Sequence, residues 1–179
     1  MKNLLAVLAL LMCFTSTAAL AQTAISEANA QKFYQNCVAA TQPGQEMKPQ
    51  TKDVYCQCTA LHMRRSITME DIRATMGNDQ AARNAINKTL TQVHAPCMEY
   101  PVRDLIATKC AKDVGVTNVC NCLSDKMAAY TARESQRLLG VVLVQNPNIT
   151  DPMAAIMETK EFKDNEQRLT MSCAQLMLK

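Results

Sequence analysis

Tryptophan is absent from this 179-residue chain, and the other aromatics are four tyrosines and three phenylalanines. Its core must therefore be assembled from Ala, Leu, Val, Ile and Met, whose side chains bury less surface than the large aromatic rings. Basic stripes interleaved with aromatics, the footprint of a nucleic-acid surface, are missing, and so is a strong charge of either sign, with 19 basic against 16 acidic residues. Glycine occurs four times, with no Gly-rich phosphate loop and no Gly-x-Ser-x-Gly elbow. The two histidines, His62 and His94, both stand beside cysteines, which leaves no independent base for a Ser-His-acid arrangement. Glu70, Asp71, Glu158 and Glu161 fall on periodic helices and read as a solvated face.

Long apolar runs are scarce too, apart from one near the start of the chain and one over residues 138–144. Lys2 precedes an apolar stretch from Leu4 to Phe14, followed by Ala19-Leu20-Ala21. This is the pattern of a secretory signal peptide over residues 1–21, cleaved after Ala21. The apolar part is too short for a membrane span of ~20 residues, so no stable span is expected after cleavage. Lipidation at Cys13 is an alternative, against which Met12 stands where a small residue is wanted. Loss of Lys2 leaves 18 basic and 16 acidic residues. The expected location is periplasmic or secreted.

Cysteine is what the chain has in abundance, with nine in all and eight beyond Cys13. An even number of thiols in an oxidising compartment predicts disulfides. They form two matching sets, Cys37, Cys56, Cys58, Cys97 and Cys110, Cys120, Cys122, Cys173, each ordered single Cys, Cys-x-Cys, single Cys. The order predicts a divergent internal duplication, with one helical module over residues 22–100 and a second over 101–179. Met63 and Met127, and Glu70 and Glu134, match at the offset of the paired cysteines.

Apolar residues recur at three and four, and the β-branched alternation of strands is missing, so the expected fold is all-α, a helical bundle of two disulfide-clamped modules. Ser26 caps a first helix to about Ala40, with Ala30, Phe33, Tyr34 and Cys37 on one face. Pro43, Gly44 and Pro49 form a loop, and Asp53 caps a second helix carrying Cys56 and Cys58 to near Arg65. Thr68 with Asp71 starts a third helix, ended by Gly77, and Asn78 or Asp79 a fourth, which Pro96 breaks or kinks. Pro101 separates the modules before a helix over Val102 to Lys112, and Gly115 with Asn118 turns the chain into the next. Thr131 with Glu134 repeats the capping signal, and Asp151-Pro152 opens the final stretch through Phe162, Leu169, Cys173 and Leu176.

Residues two apart on a helix are turned by ~200°, so the members of a Cys-x-Cys pair cannot easily bond each other. Each needs a different partner, which pins the helix to the one before it and the one after. The favoured pairs are Cys37–Cys56, Cys58–Cys97, Cys110–Cys120 and Cys122–Cys173, although the two Cys-x-Cys positions could be exchanged within each module.

Two sharper chemistries compete with structural bridging. Cys58-x-x-x-His62 and His94-x-x-Cys97 place each pair on one helical face, and two Cys with two His form an ordinary tetrahedral zinc set. Met63 and Met69 could add soft sulfur for copper. The second module has no histidine, so disulfides are the simpler rule and no cofactor is expected, with Cys58, His62, His94 and Cys97 as the alternative zinc or copper site. Dithiol exchange would use a Cys-x-Cys thiol near a helix start, but no Cys-x-x-Cys or strand-helix-strand pattern accompanies it.

Leu138 to Val144 reads Leu-Leu-Gly-Val-Val-Leu-Val, with no counterpart in the first module. Such a run predicts a helix buried on all sides. The functional alternative is a partner or dimer face made of Leu138, Leu139, Val141, Val142 and Val144, with Gly140 permitting close approach. The expected role is thus a non-catalytic exported protein that binds a protein partner, as a chaperone, inhibitor or envelope adaptor, with a homodimer as one form of that binding.

Overall fold

A computed structural model of the protein describes residues 23–40 and 47–175. The expected signal segment with Cys13, the turn expected at Pro43 and Gly44, and Leu176 lie outside the described residues. The described chain is all-α, with eight α-helices: α1 (Glu27–Ala39), α2 (Pro49–Ser66), α3 (Met69–Ala74), α4 (Gln80–Thr89), α5 (Glu99–Asp113), α6 (Thr117–Gln145), α7 (Pro152–Met157) and α8 (Lys160–Gln175). Between α4 and α5 the chain stays helical through a π segment, Leu90–His94, and a 3-10 turn, Ala95–Cys97.

Local chemistry explains most of the helix starts. Ser26 Oγ accepts from the Asn29 N–H, Asp79 from Ala82 and Asp151 from Ala154, while Thr68 and Asp71 form a reciprocal capping box. Asp53 does not cap α2. Pro49 at the first helical position starts that helix four residues earlier, and the Lys48 N–H is taken by Asp104 Oδ2 of α5 at 2.9 Å. Thr131 and Glu134 start nothing either, because α6 runs unbroken for 29 residues. Without a Gly or Pro to interrupt it there, the buried Thr131 hydroxyl simply donates back to the Met127 carbonyl at 2.8 Å. Pro101 lies in the first turn of α5, where its missing N–H costs no helical bond. Gly115 makes the α5–α6 turn with φ of 73°, the left-handed region that favours glycine.

Two apolar clusters form the interior. The larger is built around Met98, Ile106, Met127, Leu139, Ile156 and Phe162 and joins α5, α6, α7 and α8. The smaller gathers Ile25, Ala30, Met63, Ile67 and Val93, with Phe33 against it. Helix α1 buries only Ala30, so its attachment depends on other ties. These are the bridge to α2 and a short contact of the preceding segment with α3, where Ala24 pairs with Thr68 and Met69 N–H donates to Thr23 O at 2.9 Å.

Four disulfides clamp the helices: Cys37–Cys56, Cys58–Cys97, Cys110–Cys120 and Cys122–Cys173. These are the pairs favoured from the sequence, and they settle the exchange that helix geometry left open within each module. Cys56 and Cys58 leave opposite sides of α2, one toward α1 and the other toward the 3-10 turn, and Cys120 and Cys122 do the same on α6, toward α5 and α8. Loop closure suggests about 3 kcal/mol for the shortest loop and about 4 for the longest, whose sequence separations are 10 and 51.

Candidate functional site

Three places in the fold carry residues singled out by sequence: the Cys58–Cys97 bridge, the π segment and the C-terminal half of α6. Pro96 controls the first two. Lacking an N–H, it cannot donate to a carbonyl in the preceding turn, and the ladder slips so that the Ala95 N–H reaches back to Leu90 O. In that widened register the donor expected for Thr91 O would be Pro96, which has none. Gln136 of α6 meets the orphaned carbonyl with its side-chain amide at 3.1 Å, and Ser135 Oγ donates to Ala95 O at 2.5 Å. A segment with an irregular helical ladder is thus held by two adjacent side chains of the longest helix.

The two histidines have different surroundings. The four-ligand set of Cys58, His62, His94 and Cys97 does not assemble, because the His94 ring is engaged by Tyr55. Only Cys58, His62 and Cys97 place their donor atoms within 4.8 Å of one another, and both sulfurs belong to the disulfide. Cys97 is buried, while Cys58 and His62 are partly exposed. Burial, and secondarily the Arg65 charge, hold the His62 imidazole below its ordinary pKa.

His94 instead turns to Tyr55 of α2. Tyr55 Oη and His94 Nδ1 are 2.8 Å apart, a hydrogen bond whose direction the imidazole tautomer sets. The two rings border a cavity of about 140 Å³ walled by Leu90, Met98, Pro101, Pro152 and Met153. Burial pushes the Tyr55 phenol far above its usual range and the His94 imidazole below 6.5. The folded state therefore favours neutral His94. As pH falls below 6.5 the unfolded chain takes up the proton first, and stability declines until the depressed folded pKa is passed. The denaturant midpoint should accordingly drop between pH 6.5 and 5, and H94Q, which keeps a hydrogen-bonding group, should flatten the slope. His62 shifts the same way, so H62Q/H94Q should flatten it further; an unchanged slope in the double variant would assign the effect to other groups.

In the apolar run, the helical turn of ~100° per residue divides two sets of side chains. Leu138, Leu139 and Leu143 are buried in the larger core and Val142 is half-buried, whereas Val141 is 49% and Val144 87% exposed. The run is therefore not buried on all sides. Nor can Leu138 and Leu139 contribute to an accessible face, which narrows to Gly140, Val141 and Val144 with Val142 at its edge. Apart from Gly140 itself, its two neighbours and the adjoining α6 backbone, no atom of the described residues lies within 4 Å of where a Gly140 Cβ would stand.

No family model, curated protein or solved structure matches this chain. Geometry alone must therefore weigh the remaining candidates. A shallow groove of about 380 Å³ lies between α1 and α2, floored by Ala30 and Ala60 and flanked by Tyr34, Leu61 and Arg64. The Arg64–Glu27 ion pair sits at 3.5 Å, and Tyr34 donates to Asp53 Oδ1 at 2.5 Å, so its polar groups are already engaged with one another.

The carboxylates named above have partners as well. Glu70 accepts from the Thr23 N–H at 3.0 Å, and its own backbone N–H, then that of Thr23, lowers its pKa. For Asp71, burial raises the pKa, but the bonds from Lys88 and Thr68 outweigh it. Glu158 is lowered by Lys163, and Glu161 by Arg137 and then Tyr130. Among the described residues no helix is long and apolar enough to cross a membrane.

Proposed function

We propose that this is an exported, non-catalytic protein of the periplasm or extracellular space whose disulfide-stabilised helices present a docking face to a protein partner. The observation that carries the reading is the exposed pair Val141 and Val144 on α6, with the half-buried Gly140 beside them. The opposite side of the same turns, Leu138, Leu139 and Leu143, is anchored in the main core, so the strip is displayed on a rigid element. Four bridges fit a compartment that keeps thiols oxidised. Engagement of Glu70, Asp71, Glu158 and Glu161 in caps and ion pairs supports the non-catalytic part. Chaperone, inhibitor and envelope adaptor are the roles such a face serves.

Substitution V141E/V144E tests the face without disturbing the core. Exposed positions away from special features tolerate change within about 0.5 kcal/mol, so the melting temperature should barely move. Sedimentation equilibrium and quantitative co-purification from the producing cells' envelope then read binding. Concentration-dependent self-association abolished by the variant would identify a second copy as partner, and loss of a saturable partner would identify a different protein. Wild-type protein that neither self-associates nor retains any partner at saturating recovery would overturn the proposal. Unfolding of the variant would return Val141 and Val144 to a structural role.

A further inference from the structure

Of the four bridges, Cys58–Cys97 alone has a third metal-binding side chain beside it; among the described residues, Cys58, His62 and Cys97 make the one such cluster. His62 follows Cys58 by one helical turn on α2, and Cys97 is presented by the 3-10 turn that Pro96 imposes. In the oxidised state the two sulfurs are poor ligands, because each is bonded to the other. Two-electron reduction changes their chemistry. A dithiol reductant, R(SH)₂, converts the bridge to two thiols and becomes a cyclic disulfide. A divalent cation can then take both as thiolates, releasing two protons.

We propose that the Cys58–Cys97 disulfide and an S₂N site for a soft, filled-shell cation are alternative states of the same three residues, interconverted by exchange with a dithiol and, in the reverse direction, with its cyclic disulfide. The donor set, two thiolates and one neutral imidazole, suits Zn²⁺ with a fourth position left to solvent, or a three-coordinate Cu⁺. Tetrahedral Zn–S bonds of about 2.3 Å set the two sulfurs roughly 3.8 Å apart. With Cα atoms 5.9 Å apart, side-chain rotation reaches that spacing while α2 and the 3-10 turn stay in place. Both elements keep other anchors, Met63 of α2 in the smaller core and Ala95 in the larger. The partly exposed Cys58 and His62 give the reductant and the cation their approach. None of this draws on the α6 face, so the two proposals stand or fall separately.

The test uses the full oxidised protein, reduced stepwise with a phosphine under nitrogen and desalted, with mass spectrometry after alkylation to find the species carrying Cys58 and Cys97 as its free thiols. Zn²⁺ is titrated against a chromophoric competitor, and Co²⁺ is added in parallel to report thiolate-to-metal charge transfer. That species should take up one equivalent of Zn²⁺. H62A should weaken uptake at least tenfold while leaving the oxidised protein's melting curve unchanged, and C58A/C97A should lose the equivalent after the same treatment. Absence of uptake, uptake indifferent to H62A, or loss of helical circular dichroism when this bridge opens would each overturn the proposal.

Discussion

Replacing Phe162 with alanine should lower the unfolding free energy by about 3–5 kcal/mol, the range seen when a buried aromatic is truncated and its space only partly refills. Phe162 is fully buried in the first turn of α8, and the Tyr130 ring meets it edge-on with centroids 6.2 Å apart. The Tyr130 ring is tied at its edge by a hydroxyl bond to Glu161 at 3.0 Å, and the other core residues of the cluster, Met127, Leu139 and Ile156 among them, are not aromatic. The loss would be a large share of a typical total of about 5–15 kcal/mol. Urea unfolding of the oxidised variant measures it. A change below about 1 kcal/mol would show that the methionines close over the cavity.

Removal of the Cys122–Cys173 bridge should be the next most damaging change. C122A/C173A frees a loop with a sequence separation of 51, for which loop closure accounts for about 4 kcal/mol. C110A/C120A frees a separation of only 10 and should cost about 3 kcal/mol, with α5 and α6 still packed along their length. Guanidinium unfolding of both variants should rank them in that order. In the first, α8 should also become the preferred site of proteolysis, because Phe162 and Asn165 would be its main remaining buried anchors. Reversal of the order would mean that native contacts around Cys110 and Cys120, rather than unfolded-chain entropy, govern these bridges.

Features decided by a few adjacent residues were readable in advance. Ser26, the Thr68–Asp71 box, Asp79 and Asp151-Pro152 each satisfy orphan backbone groups within one turn, so their sequence context is also their physical context. The cysteine pairing was legible in part for a related reason, since a Cys-x-Cys helix has two opposite sides and one neighbour for each, while which cysteine meets which neighbour was left open within each module. Asp53 misled because Pro49, one turn earlier, is the better start and Asp104 of α5 takes the amide there. Thr131 and Glu134 resembled Thr68 and Asp71 in spacing, yet no break in helix-forming residues accompanies them.

The π segment depends on a distant partner. Pro96 announces a disturbance, but only Gln136, 45 residues away, shows how the freed carbonyl is satisfied, and that pairing has no local signal. The outcome for the metal set was equally hidden. The spacing from Cys58 to His62 holds on the regular α2, whereas His94 is held by the Tyr55 hydroxyl instead. Tyr55, the partner His94 acquires, lies one turn before Cys58's own face and carried no signal of its own. As for the apolar run, hydropathy counts Val141 and Leu143 alike, and only the helix's position on the core separates them.

The order of the bridges along the chain has a consequence for how they are made. Numbered from Cys37 to Cys173, the eight cysteines pair first with second, third with fourth, fifth with sixth and seventh with eighth. For a polypeptide threaded amino-end first into an oxidising space, the correct partner of each waiting thiol is always the very next one to arrive. Native linkage then needs an electron acceptor but no reshuffling of earlier bonds, and assembly can keep pace with translocation.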